Sequence, residues 1–233
     1  MIGFYNYTVI LTYLSLISGV MGIIVCLNGI GHPFIGIFFL MLSGLCDAFD
    51  GKVARTKKDR SDMEKAFGIQ IDSLADMVAF GVLPPCIGMA MLRVSERFTN
   101  VPYINLHGGE DKSVIYPIFL MLIALAYVMA ALIRLAYFNV LEEERQKTDT
   151  GSLKFYTGLP VTSASLIFPT VMLIQYLTEA DHTMMYFGAL AITGLLFVSR
   201  IRVAKPNFKN ILILVGIGAA EFIILIIVHY FVK

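Results

Sequence analysis

Long runs of apolar residues, broken by short polar stretches, are the dominant pattern along this chain, and within each run no period-two alternation competes with helix. A helix needs about 20 mainly apolar residues to cross a bilayer. Seven stretches reach or approach that length: residues 9–30, 33–55, 67–92, 115–140, 158–177, 183–199 and 211–232. The pattern therefore predicts an all-α fold, a polytopic bundle of membrane helices. No repeat, linker or low-complexity tract divides it, so residues 1–233 read as one integral membrane domain. The opening residues lack the basic region and small-residue cleavage site of a secretory signal, so the first span is expected to stay in the mature protein.

The polar breaks carry an asymmetry. Lys52, Arg55, Lys57, Lys58, Arg60 and Lys65 follow the second span; Arg145, Lys147 and Lys154 follow the fourth; Arg200, Arg202, Lys205 and Lys209 follow the sixth. These thirteen face only Arg93, Arg97, Lys112 and Lys233 on the other side. The positive-inside rule puts the thirteen in the cytoplasm, with the N-terminus inside and, for seven spans, the C-terminus outside.

Composition agrees. The chain is 58% hydrophobic and 15% charged, with a mean hydropathy of +0.77. A net charge of +1 gives no global attraction to nucleic acid. Cys26, Cys46 and Cys86 sit inside apolar segments without metal-ligand spacing and read as small core residues. His32, His107, His182 and His229 are too scattered for a shared metal site, and Glu221 is a lone acid suited to a helix–helix hydrogen bond or a dimer contact.

One stretch departs from this economy: "LCDAFDGKVARTKKDRSDMEKAFGIQIDSLADMVAFGV", residues 45–82. Asp47 and Asp50 are three apart and Asp72 and Asp76 four apart, so each pair lies on one face of its helix. The second and third spans are antiparallel neighbours with both pairs at their cytoplasmic ends. Asp76 lies about 6 Å deeper than Asp72 by helical rise. Matching the depths sets Asp47 against Asp76 and Asp50 against Asp72. Four carboxylates gathered in a low-dielectric site repel one another unless positive charge joins them. They can pair with Lys52, Arg55 or Lys57 at headgroup level, as most interfacial acids do. Alternatively they hold divalent cations; an all-oxygen ligand set favours Mg²⁺ or Mn²⁺ over zinc, and two ions neutralise four aspartates. Gly51, Ala54 and Gly68 leave room for a ligand near the backbone, and Arg55 can meet a phosphate with two donors.

Asp47-x2-Asp50-Gly51-x2-Ala54-Arg55, followed by Gly68-x3-Asp72-x3-Asp76, resembles the signature of the CDP-alcohol phosphotransferase family. "FGIQIDSLADMVAFGVLPP", "IRLAYFNV" (133–140) and "FYTGLP" (155–160) extend the likeness toward the branch that uses serine as acceptor, over roughly residues 7–169. The resemblance implies a six-helix core, here with about one additional helix, and a metal-dependent transfer of the phosphatidyl group from CDP-diacylglycerol to L-serine with release of CMP. Within it, Asp47, Asp50, Asp72 and Asp76 are metal ligands and Asp76 is also the base. Asp47, Gly51, Ala54, Arg55, Gly68 and Asp72 line the CDP site, and a homodimer is expected. Twelve residues separate Arg55 from Gly68, about one helical turn more than the usual form. The added charged run is expected as a solvated cytoplasmic elbow. Tyr137 stands where the later motif usually has a second Arg. Arg134, Asn139 and Lys154 are the candidates for contact with the acceptor or a lipid phosphate, Arg134 because an Arg inside a membrane segment is a functional candidate by default.

Other acceptors stay open: glycerol phosphate, inositol phosphate, or serine with an archaeal lipid. An ion channel or transporter also uses intramembrane acids, but spreads polar groups across the midplane, whereas here they gather at one face.

Overall fold

The computed structural model describes residues 3–28, 32–95, 115–148, 155–178, 181, 183–204 and 207–231. Arg97, His107, Lys112, Lys154, His182, Lys205 and Lys233 lie outside these residues. The chain forms helices α1 (Ile10–Leu27), α2 (Pro33–Ala54), α3 (Asp62–Asp76), α4 (Leu83–Val94), α5 (Ile115–Thr148), α6 (Ala164–Thr178), α7 (Thr183–Phe197) and α8 (Phe208–Phe231). α3 and α4 are one continuous rod joined by a π-helical turn, Met77–Val82. Six of the resulting helices are long and apolar enough to cross a membrane, and α7, at 15 residues, is a shorter apolar one. This is a polytopic helical membrane protein. Ile213, Leu195, Leu125, Met129 and Ile192 are all exposed on its outer faces, where lipid is the solvent.

Small residues set how closely the helices approach. Thr12, Ser15, Ser18, Gly19, Gly22 and Cys26 recur every three or four residues on the buried face of α1. Ser15 Oγ donates to the Ser43 carbonyl at 3.3 Å, Ser43 Oγ returns a bond to the Ser15 carbonyl at 3.0 Å, and Ser18 Oγ reaches the Phe39 carbonyl at 2.8 Å. These exchanges satisfy hydroxyls in a region without water, and they hold α1 and α2 at near backbone contact.

The π turn has a cause in sequence. Pro84 and Pro85 have no N–H, so the carbonyls four residues earlier, Phe80 and Gly81, lose their helical donors. Tyr127 of α5, fully buried, donates its hydroxyl to the Phe80 carbonyl at 2.8 Å. Tyr186 of α7 donates to the Pro84 carbonyl at 3.0 Å.

Three features differ from the sequence expectations. The fifth apolar stretch, 158–177, becomes α-helical only at Ala164, and just before it strand β1 (Phe155–Thr157) pairs antiparallel with β2 (Arg202–Ala204). Such short strands, paired across 49 residues in register Phe155 to Ala204, leave no periodic trace. Arg145 and Lys147 lie on α5, which is longer than its apolar stretch, rather than in a loop. The charged run after Arg55 is solvated at Lys58, Asp59, Asp62 and Lys65, but it is tied down at Glu64. Ser61 caps α3 by accepting from the Glu64 N–H at 3.1 Å, Glu64 is buried, and its carboxylate takes both the Lys57 ammonium at 2.6 Å and the Asn6 amide. That bond raises Lys57 above the ordinary lysine range.

Gly158 pins the ribbon to the bundle. It has φ of +78°, and a Cβ there would sit 2.5 Å from the Phe197 carbonyl. Its N–H donates to the Ile201 carbonyl at 2.7 Å. Gly158→Ala combines a left-handed backbone with a backbone clash and is expected to cost about 2–4 kcal/mol. A clear fall in melting temperature in detergent checks this.

Candidate active site

The acidic ends of α2 and α3 meet. Asp47 is within hydrogen-bonding reach of Asp76, and Asp50 of Asp72, the cross-pairs that depth alone suggested. Carboxylate oxygens of Asp47, Asp50 and Asp72 lie within 4.8 Å of one another, a spacing that can hold a metal ion. Asp50 and Asp76 are buried; Asp47 and Asp72 are half-buried. The grouping follows from helix geometry: i, i+3 on α2 and i, i+4 on α3 turn both pairs toward the seam between the helices. α1 adds a contact, because Thr12 Oγ1 donates to Asp50 Oδ2 at 3.2 Å.

The pairing of these acids with basic neighbours is not what the structure has. Lys57 is engaged with Glu64, and the Lys52 ammonium lies 3.1 Å from the centroid of the Phe208 ring. Arg55 caps the end of α2, exposed, with its guanidinium folded over Gly51, 3.7 Å from where a Cβ would be. Among the described residues no Lys or Arg is within ion-pair distance of the four carboxylates. Asp47, Asp50 and Asp72, without an ion pair to any described base and presenting only oxygen, are a donor set that suits a hard divalent cation. The residues present fit such an ion.

The remaining signature residues surround this seam. Ala54 ends α2, and Gly68 lies one turn before Asp72 on α3. A Cβ at Gly68 would meet Arg60 Nη2 at 2.8 Å. Asn139 of α5 accepts from Ser73 Oγ at 2.9 Å, which brings it beside Asp72. Arg134 is buried; its Nε donates to the Leu159 carbonyl at 3.2 Å, and its guanidinium lies 5.3 Å from the Phe138 ring centroid. It thus ties α5 to the segment after β1. Lys154 lies outside the described residues.

Beside the carboxylates runs an apolar cavity of about 760 Å³ between α2, α6 and α8, with Phe38, Leu42, Leu166, Leu214 and Phe222 on its walls and Asp47 at its rim. Deeper in the bilayer, Thr170 of α6 donates to Glu221 of α8 at 2.5 Å, a helix–helix hydrogen bond of the kind expected for that acid.

Three contributors escaped the sequence reading. Thr12 belongs to the small-residue stripe of α1, a signal that was present as a 3–4 spacing. Ser61-x-x-Glu64 is a capping box hidden among charges. Ser73 has no signal beyond its place next to Asp72.

Comparison with known proteins points the same way. The family model described as CDP-alcohol phosphatidyltransferase matches residues 5–199. The CDP-diacylglycerol–serine O-phosphatidyltransferase of Helicobacter pylori is 28% identical over 211 residues, 89% of this chain and 74% of that protein. The Saccharomyces cerevisiae protein of the same name is 33% identical over 164 residues, 67% of this chain and 50% of its own. The archaetidylserine synthase of Methanothermobacter thermautotrophicus is 28% identical over 170 residues, 73% of this chain and 59% of its own. No solved structure matches significantly. With the signature aspartates brought together at one seam and the family match running from before α1 to the end of α7, the chain belongs to the CDP-alcohol phosphatidyltransferase family.

Proposed function

We propose that this protein transfers the phosphatidyl group of CDP-diacylglycerol to L-serine, giving phosphatidylserine and CMP, at the cytoplasmic face of the membrane. The observation that carries the reading is the meeting of four aspartates from two antiparallel helices with no basic partner among the described residues. The choice of serine rests on the names of the relatives and on the "IDSLADMVAFGVLPP" segment.

In this reading Asp47, Asp50, Asp72 and Asp76 hold two divalent ions, Mg²⁺ or Mn²⁺. The bound ions would offset negative charge on the phosphates and on departing CMP. Arg55 donates to the CDP phosphates across Gly51, and Ala54 and Gly68 give the nucleotide access to the backbone. The acyl chains occupy the cavity between α2, α6 and α8, which keeps them out of water while the phosphate reaches Asp47. The serine hydroxyl oxygen attacks the phosphorus that bears diacylglycerol. The new P–O bond forms as the bond to the CMP phosphate breaks, and the hydroxyl proton passes to the Asp76 carboxylate. Arg134 and Asn139, with Lys154, take the serine carboxylate or a lipid phosphate. The working assembly is a homodimer, on the family resemblance.

The test is CMP release by the purified protein with CDP-diacylglycerol, Mn²⁺ or Mg²⁺ and a panel of alcohols. Release with serine is expected. Release only with a phosphorylated alcohol replaces serine by a sister acceptor, and no release with any alcohol, together with cation flux in liposomes, replaces the enzyme by a transporter.

A further inference from the structure

The twelve residues linking Arg55 to Gly68 carry one guanidinium back onto the helices. Arg60 Nη1 donates to the Ala54 carbonyl at 3.3 Å and Nη2 to the Glu64 carbonyl at 3.4 Å, so the side chain spans from the last turn of α2 to the first turn of α3. Both bonds are at the long, weak end of the hydrogen-bond range. Arg60 Nε is buried and has no hydrogen-bond partner among the described residues. A buried donor without an acceptor is costly. The guanidinium lies where a side chain at 68 would be, and Gly68 accommodates it by having none.

Capping α2 explains the Ala54 bond but leaves Nε unexplained. It also leaves unexplained why the group lies over a signature glycine. Arg55 makes the matching arrangement on the other helix, its guanidinium over Gly51. Each of the two signature glycines thus has a guanidinium over it, and a guanidinium is a planar donor suited to a phosphate group.

We propose that Arg60, on the segment between the two halves of the signature, contacts the phosphates of the CDP moiety as a second arginine alongside Arg55. This rests on the reading of Gly51, Ala54, Arg55 and Gly68 as the CDP site. Its acceptor is a nucleoside diphosphate. The two backbone carbonyls hold the guanidinium in place until that ligand arrives.

Full-length protein with Mn²⁺ and no acceptor, titrated with CDP and separately with cytidine, tests the assignment. Arg60→Gln is expected to weaken CDP binding about tenfold or more, the loss of one charge-assisted contact. Cytidine binding should stay unchanged, and melting temperature should fall only slightly, because the two carbonyl bonds that are lost are long. In turnover, KM for CDP-diacylglycerol should rise in parallel while KM for serine does not. Unchanged CDP affinity overturns the proposal, and so does an equal loss for CDP and cytidine with a lower melting temperature, which makes Arg60 a cap alone. If Arg60→Gln does not fold, Arg60→Lys keeps the charge without the planar fork; CDP affinity equal to wild type in that variant also overturns it. A wild-type chain that binds CDP but releases CMP with no alcohol defeats the transferase reading and leaves this comparison intact.

Discussion

Asp76→Asn is expected to reduce CMP release about a thousandfold or more while the protein stays folded and still binds CDP. Asparagine is nearly isosteric, so packing at the end of α3 is preserved, but the amide cannot accept the serine proton. Asp76 is 8% exposed and lies against Asp47, so bulk water cannot readily replace it as base. The substitution also removes one anionic ligand, and the two losses are separable. If activity returns at high Mn²⁺, Asp76 acts only in holding metal; if it stays low at saturating Mn²⁺, the proton acceptor is gone. Full activity in the variant at ordinary metal concentration removes Asp76 from both roles.

Chelation comes second in size. Stripping divalent ions from the purified protein should bring turnover to background, with recovery on adding Mg²⁺ or Mn²⁺. The physical reason is that no described Lys or Arg forms an ion pair with the four acids: Lys52 is over Phe208, Lys57 is with Glu64, and the Arg55 guanidinium folds across Gly51. The carboxylates then have only cations from solution to balance them. A readout independent of chemistry follows. Because a metal that binds the folded state stabilises it, Mn²⁺ should raise the melting temperature of the wild type. It should not do so for Asp47→Asn combined with Asp50→Asn. A chelated protein that keeps full turnover contradicts the metal assignment.

Much of this was legible in the letters because helices repeat at fixed intervals. Apolar length marked seven helices, and the described residues hold six long ones and the shorter α7. Counting rise along α2 and α3 matched Asp47 with Asp76 and Asp50 with Asp72, because depth in a membrane is proportional to residue number. What escaped was of two kinds. The ribbon of Phe155–Thr157 with Arg202–Ala204 is a pairing between distant short segments, and no local window contains it. Within the run from Lys57 to Lys65, the burial of Glu64 depends on Asn6 reaching it from the start of the chain, a contact no local window contains.

The π turn after Asp76 has one more consequence. Two prolines strip the Phe80 and Gly81 carbonyls of their helical donors there; the Tyr127 hydroxyl of α5 takes over at Phe80, and the Tyr186 hydroxyl of α7 adds a bond at the Pro84 carbonyl. The angular setting of the acidic half is thus inherited from its neighbours. Tyr127 and Tyr186 thereby anchor the rod about one and two turns beyond Asp76.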